Sequence, residues 1–424
     1  MTRVLVALSV WLASIQVAVS GDLIRLWPVE VNGKWGYIDE HGKMAIEPQF
    51  DSAGSFREGA LARVRVGQKW GMVNWEVVRA PVEFDYVGSS HPLPVRKEGQ
   101  WAVWTGYYAD KHTIRDTLVS GAEYDSIADF YGREAVVRRH GKWGVIEWED
   151  TNGQMKLTIP TAYEALLRPE YNPDFASLRF HVYAGKRDGK WGLISDHDSL
   201  LIPFVYDTLI TGTMSRFVAA NVKDKWGYVD IAGTVRIEPQ YEAARGFERG
   251  IYGQGVSYGF RTPVAAVSRE QKWGFIDTTG REIVPLRYQD VGRIGYSLTA
   301  VRVENKWGYL DTAATLAIPA RFDSAGEFGV WGVVKVGDQY GFINDQGRWM
   351  ISPEFEAVER ADHSGYIVRK QGRYGFVIPR GQKTVIGWYD EVSPFYAGLA
   401  GVKYQGRWAY VGIDGKIVWQ SPMK

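Results

Sequence analysis

From residue 217 the chain reads Phe217-Val218-Ala219-Ala220-Asn221-Val222, then Lys223-Asp224-Lys225, then Trp226-Gly227-Tyr228-Val229-Asp230. Apolar positions fall at a period of two and favour β-branched and aromatic types, which predicts two strands joined by a short turn. The same figure recurs along the chain. In six places the turn ends in Gly just ahead of the next strand, at Asn32-Gly33, Glu98-Gly99, His140-Gly141, Asp188-Gly189, Gln371-Gly372 and Gln405-Gly406. These read as tight hairpin turns that need positive φ. The second strand ends in Asp or Asn with Gly three residues on, as in Asp39 with Gly42, Asp230 with Gly233, Asp277 with Gly280 and Asn344 with Gly347. An Asx residue opening a loop closed by Gly is a second hairpin signature. A third run passes through a Pro-containing segment to an aromatic and, usually, an acid: Ile46 to Asp51, Ile237 to Glu242, Ile318 to Asp323, Ile351 to Glu356. Ten units carry this aromatic and nine follow it with Asp or Glu, Tyr288-Gln289 being the exception. Proline lacks a ladder donor, so the third strand is predicted to be short and to end at a sheet edge.

The register mark of each unit is an aromatic followed by a small residue, found at Trp35, Trp70, Trp101, Trp143, Trp191, Trp226, Trp273, Trp307, Tyr340, Tyr374 and Trp408. Successive spacings are 35, 31, 42, 48, 35, 47, 34, 33, 34 and 34. A fixed period of this size marks a repeat architecture. The expected fold is all-β, a tandem array of about eleven three-stranded antiparallel meanders filling residues 21–424, each sheet completing its core against its neighbours. Propellers usually have about four to eight blades of four strands. Eleven units of three favour an open or spiral, solenoid-like array, with a propeller-like arrangement as the alternative. The regular aromatics are expected to form an internal spine, with the glycine after each one covered by an indole.

These residues carry a family resemblance. The consensus Gly-Lys-Trp-Gly-Tyr-Ile-Asp-x-x-Gly, followed by Ile-x-Pro-x-Tyr-Asp, resembles the WG-repeat family. The two aromatics stand 15 residues apart in seven of ten units, including Trp35 to Phe50 and Tyr374 to Tyr389. Departures are Ala102 and Ala409 in place of Gly, Tyr340 and Tyr374 in place of Trp, and Trp75 where no Asp-x-x-Gly turn follows. The resemblance implies a bacterial repeat protein, often exported, with a binding or scaffolding role and no general catalytic motif.

Composition narrows this reading. Lys and Arg number 50 against 49 Asp and Glu, a net charge of +1 that gives no global field toward nucleic acid or an anionic membrane. Met1-Thr2-Arg3, an apolar stretch from Val4 to Val19 and Ala18-Val19-Ser20-Gly21 read as a signal peptide over 1–20 cleaved after Ser20. A secreted or periplasmic location follows, with no membrane span after cleavage. The absence of cysteine excludes disulfides and thiolate metal sites. It fits a bacterial envelope.

Insertions in a repeat map to loops, where binding residues concentrate. Four lie near 105–116, 147–156, 166–179 and 246–261, and they offer Tyr107, Tyr108, His112, Tyr171, Tyr252, Tyr258 and Phe260 as candidate binding residues. The plainer reading has these aromatics covering sheet edges. A cation precedes the aromatic in nine units, for example Lys34, Lys69, Lys142, Lys225 and Arg407. It is expected to pair with acids such as Asp51, Glu242 or Asp323, or to stack on a neighbouring ring. Ser195-Asp196-His197-Asp198 holds the letters of a triad, but adjacent turn residues do not make a relay. No metal or cofactor motif is present, so neither is expected. The sequence points to an exported, non-catalytic scaffold binding an unidentified protein or glycan at the cell envelope; a carbohydrate- or cell-wall-binding module is the alternative, and a hydrolase is the less favoured reading.

Overall fold

The computed structural model describes residues 25–422 apart from 57–60, 74–77, 91, 106, 111–112, 116–117, 150–153, 169–181, 212–216, 249–251, 254–255, 258–261, 296, 361–364 and 380–384. The signal-peptide expectation therefore lies outside the described residues. Among those described, the regular elements are all strands, arranged in eleven small antiparallel sheets that each contain one Trp-Gly-type strand, with two separate two-stranded hairpins besides. The first sheet has three strands, Trp27–Val31, Lys34–Ile38 and Met44–Phe50. Each of the other ten has four.

The additional strand corrects the three-stranded expectation. In sheet six it is Thr208–Thr211, followed by Phe217–Val222, Lys225–Asp230 and Val235–Tyr241 in that spatial order. It starts directly after Asp207, the acid that follows the last strand of the preceding sheet. Elsewhere it can be as short as Ser52–Ala53 or Ser324–Ala325, too short for periodicity to show. With four-stranded meanders in series, the sheets follow the propeller-like alternative, whose blades are built this way. A count of three strands per unit is what favours a solenoid, and the fourth strand removes that ground.

The chain divides into two compact units. One takes in the described residues up to Ala122, Asp129–Gly132 and the segment from Val418, and the other takes in Glu123–Ala128 and Arg133–Ile417. Within each, the core lies between sheets that are consecutive in the chain. Sheets five and six share Val182, Leu193, Ile202, Tyr206, Val218 and Val229. Sheets six and seven share Ala219, Tyr228, Ile237, Tyr241, Phe247 and Ile276. Alternate residues of one strand thus face opposite neighbours, Val229 toward the sheet before and Tyr228 toward the sheet after. Both faces of sheet six are thus covered by its neighbours, and among the described residues its core is shared with them.

The hairpin turns have the expected backbone. Asn32 and Gly33 have φ of 53° and 77°, the positive pair of a type I′ turn. In three turns non-glycine residues take both positive positions: Lys223-Asp224, Glu270-Gln271 and Glu304-Asn305. The acid after the aromatic that ends a sheet's last strand supports the following turn. Asp51 Oδ2 accepts from Gly67 N–H at 2.6 Å, Asp207 Oδ2 from Lys223 N–H at 2.9 Å and Asp323 Oδ2 from Gly337 N–H at 2.8 Å. Each such acid latches one sheet to the next.

The constant spacing of 15 is a cross-strand pair. Trp35 lies opposite Phe50, Trp226 opposite Tyr241, Trp307 opposite Phe322 and Tyr374 opposite Tyr389. One pair further along, Tyr228 is opposite Ile237, so two steps on one strand match four on the other. This bulge carries Pro239 and drives the fourth strand across Gly227, where a Cβ would stand 2.4 Å from the Ile237 carbonyl oxygen and 2.7 Å from Pro239 N. The glycine is required by backbone approach, and not by a covering indole as expected from sequence. The regular aromatics are half-buried, with Trp408 41% exposed, whereas Tyr37, Tyr228 and Tyr309 two positions on are fully buried.

Candidate functional site

The antiparallel order fixes where the insertions emerge. In a four-stranded meander the link from first to second strand and the link from third to fourth lie at one end; the hairpin between the middle strands lies at the other. The insertion at 105–116 joins Gln100–Trp104 to Leu118–Ser120, and that at 147–156 joins Lys142–Glu149 to Gln154–Tyr163. Those at 166–179 and 246–261 follow the first strands Ala165–Leu167 and Ala243–Ala244. All four therefore leave from the same end of their own sheets, opposite the latched hairpin turns.

Two insertions contain further strands and a third lengthens its own sheet. Tyr107 and Tyr108 lie in Tyr107–Asp110, which pairs with Thr113–Arg115 in a separate hairpin. Tyr252 lies in Tyr252–Gly253, paired with Val256–Ser257 in another. At 147–156 the ladder itself lengthens, with Glu147 opposite Lys156 and Trp148 opposite Met155, and buried Trp148 extends the core. His112, Tyr171, Tyr258 and Phe260 lie outside the described residues.

Two polar clusters stand at the bases of insertions. Beneath 246–261, Arg245, Glu248, Val264, Phe275, Arg293 and Ile294 line a cavity of about 10 Å³, room for one water at most. The Glu248 backbone bonds Val264 in both directions, at 2.9 and 3.0 Å, which anchors the chain as it leaves the sheet. Burial pushes the Glu248 carboxyl above its usual range, against the pull of the Ile294 N–H and of Arg293 and Arg245. Arg245 also stacks 5.2 Å over Trp273. Beneath 166–179, the Tyr183 hydroxyl donates to buried Glu134 Oε2 at 2.9 Å, and Arg168 Nη2 approaches the same oxygen at 3.4 Å. Burial, then the Glu134 charge, raises the Tyr183 hydroxyl pKa well above the usual tyrosine range.

The triad-like letters have turn roles. Ser195 Oγ accepts the His197 and Ser199 N–H groups at 3.2 and 3.1 Å, taking the place that Asp230 fills one repeat on. His197 Nδ1 lies 2.9 Å from Asp196 Oδ1, and Asp198 takes the Tyr163 hydroxyl. The exposed imidazole is directed to a carboxylate and not to the serine oxygen.

At the opposite end the cations before the aromatics pair as expected in several repeats: Lys34 with Asp51 at 2.5 Å, Lys69 with Asp85 at 2.6 Å and Lys306 with Asp323 at 2.5 Å. A second series of cations was missed. Arg65, Arg138, Lys335 and Lys403 stack over Trp70, Trp143, Tyr340 and Trp408 at 5.8, 5.5, 5.4 and 5.9 Å. Each stands opposite its aromatic across the hairpin, so a basic residue five positions ahead of the aromatic was the available signal.

The family model for the WG containing repeat matches residues 35–70, 226–253, 273–307, 307–332, 340–374 and 389–408. The chain is a WG-repeat protein. No curated protein matches it. Among solved structures, this WG-repeat protein is similar to a eukaryotic initiation factor, with 11% identity over 79% of this chain and 97% of that chain and a TM-score of 0.38. It is also similar to apo AztD from Citrobacter koseri, with 10% identity over 85% of this chain and 94% of that one and a TM-score of 0.29. A third similarity is to the dihydro-heme d1 dehydrogenase NirN in complex with DHE, with 11% identity over 63% and 67% and a TM-score of 0.30. At such values none of these likenesses bears on what the WG-repeat protein binds. Among its described residues no helix is long and apolar enough to cross a membrane.

Proposed function

We propose that this WG-repeat protein is an exported, non-catalytic scaffold that binds a protein partner at the bacterial cell envelope through the insertion-bearing ends of its sheets. The observation that carries the reading is the segregation of the two ends: every insertion leaves opposite the latched turns. Loops on a rigid scaffold are where recognition residues concentrate. The turn-bound Ser195 oxygen supports a non-catalytic reading of the one triad-like run. Replacing 246–261 by a short Gly-Ser link should abolish partner capture from envelope extract while leaving the unfolding midpoint near that of the full chain. Undiminished capture by that variant would remove this insertion from the binding site.

A glycan partner is the second reading, favoured by the exposure of Trp408 and Trp349, at 41% and 40%. Saturable quenching of Trp fluorescence by peptidoglycan fragments, lost on Trp408→Ala, would select it over the protein partner.

A further inference from the structure

The latch between sheets eight and nine is complete. Phe322 lies opposite Trp307, Lys306 Nζ lies 2.5 Å from Asp323 Oδ1, and Gly337 N–H donates to Asp323 Oδ2 at 2.8 Å. Asp323 N–H donates to the Lys335 carbonyl at 2.9 Å. The Lys306 hydrogen bond first, and the Lys335 charge among lesser causes, hold the Asp323 carboxyl below its usual range. One carboxylate thus answers two cations and one turn.

Between sheets seven and eight the backbone is the same. Tyr288 lies opposite Trp273, and Gln289 N–H donates to the Arg302 carbonyl at 3.0 Å. Asn305 N–H in the turn donates to Gln289 Oε1 at 2.7 Å. Gln289 therefore supports the turn as Asp323 does, and its Nε2 donates to Asn305 Oδ1 at 3.3 Å. The charge is what is missing. Lys272 holds the position of Lys306 and Arg302 that of Lys335, each fixed by the shared register. Among the described residues neither makes an ion pair, and Arg302 Nε is buried without a hydrogen-bond partner. A buried guanidinium donor lacking an acceptor is costly, and its natural complement is an oxyanion.

We propose that this junction is a binding site for one small oxyanion, a phosphate or carboxylate group held by Lys272 and Arg302 beside the neutral Gln289 carboxamide, which stands where nine repeats carry Asp or Glu. The Arg302 fork supplies directed donors and Lys272 a mobile point charge. The ligand restores to this junction the countercharge that its neighbours carry in their sequence.

Calorimetric titration of the full chain with inorganic phosphate, and separately with acetate, at constant ionic strength in chloride tests this. The expected result is saturable binding of one equivalent of phosphate. Gln289→Asp supplies the missing carboxylate, so it should weaken that binding by about tenfold or more while raising the melting temperature in phosphate-free buffer. Arg302→Gln should weaken binding as much without that rise. Absence of saturable binding by either anion overturns the proposal. So does unchanged affinity in folded Gln289→Asp, which would place the anion elsewhere.

Discussion

Sheets six and three show what the Trp-Gly pair is for. In sheet six the fourth strand, Val235–Tyr241, bulges at Pro239 and crosses bare Gly227. In sheet three the corresponding strand is Leu118–Ser120, in plain register with Ala102 opposite Ser120, Val103 opposite Val119 and Trp104 opposite Leu118. No bulge crosses position 102, and the residue there is alanine. The insertion 105–116 occupies the stretch where sheet six runs directly into its long fourth strand. The glycine and the bulge are thus one device. Where an insertion replaces the bulged strand, the glycine is no longer needed.

The largest expected effect follows from that device. Gly227→Ala puts a Cβ against backbone atoms on a strand that is itself packed, so the variant should lose about 3 kcal/mol or more of stability, in the range of severe overpacking. The mirror change, Ala102→Gly, should cost only about 0.5–1 kcal/mol, the ordinary entropic penalty of glycine in a strand. Equilibrium unfolding in urea measures both. Similar losses for the two variants would break the comparison.

The next effect separates the two aromatics of one strand. Tyr309 is fully buried between sheets eight and nine, and its hydroxyl donates to the Gly326 carbonyl at 3.0 Å; Trp307 is half-buried at the rim. Tyr309→Ala should therefore cost about 3–5 kcal/mol, and Trp307→Ala less. The reverse order in urea unfolding would restore the indole as the main source of stability.

Much of this was legible in the chain. The middle hairpin was visible because alternation, turn glycines and the repeated aromatic all marked it. The first strand was not, since two residues such as Ser324-Ala325 carry no period and are held by backbone pairing to Gly332–Val336. The role of Gly227 was hidden because register reveals a bulge and composition does not. Of the candidate site, insertion positions and the exceptional Gln289 were readable as breaks in the repeat. Glu134 with Tyr183, and Glu248 with Ile294, were not, because each joins residues far apart in the chain whose burial depends on neighbouring sheets.

The smallest effect tests the latches that sheet six and its neighbours share. The Lys190 hydrogen bond, then the Lys223 backbone N–H, hold the Asp207 carboxyl below its ordinary 3.8. A carboxylate with a depressed folded-state pKa contributes stability that is present above its unfolded value, and that contribution is lost as pH falls through the folded one. The window accordingly opens below about pH 4. Asp207→Asn keeps an oxygen for the turn and removes the charge, so it should lower the melting temperature at neutral pH by less than Tyr309→Ala does. Its melting curve should then converge with that of the unaltered chain as pH drops below about 4. Convergence would assign the loss to the charge of the latch. A constant gap down to low pH would assign it to altered turn geometry, and the carboxylate would then be a spacer between sheets with no electrostatic part in holding them.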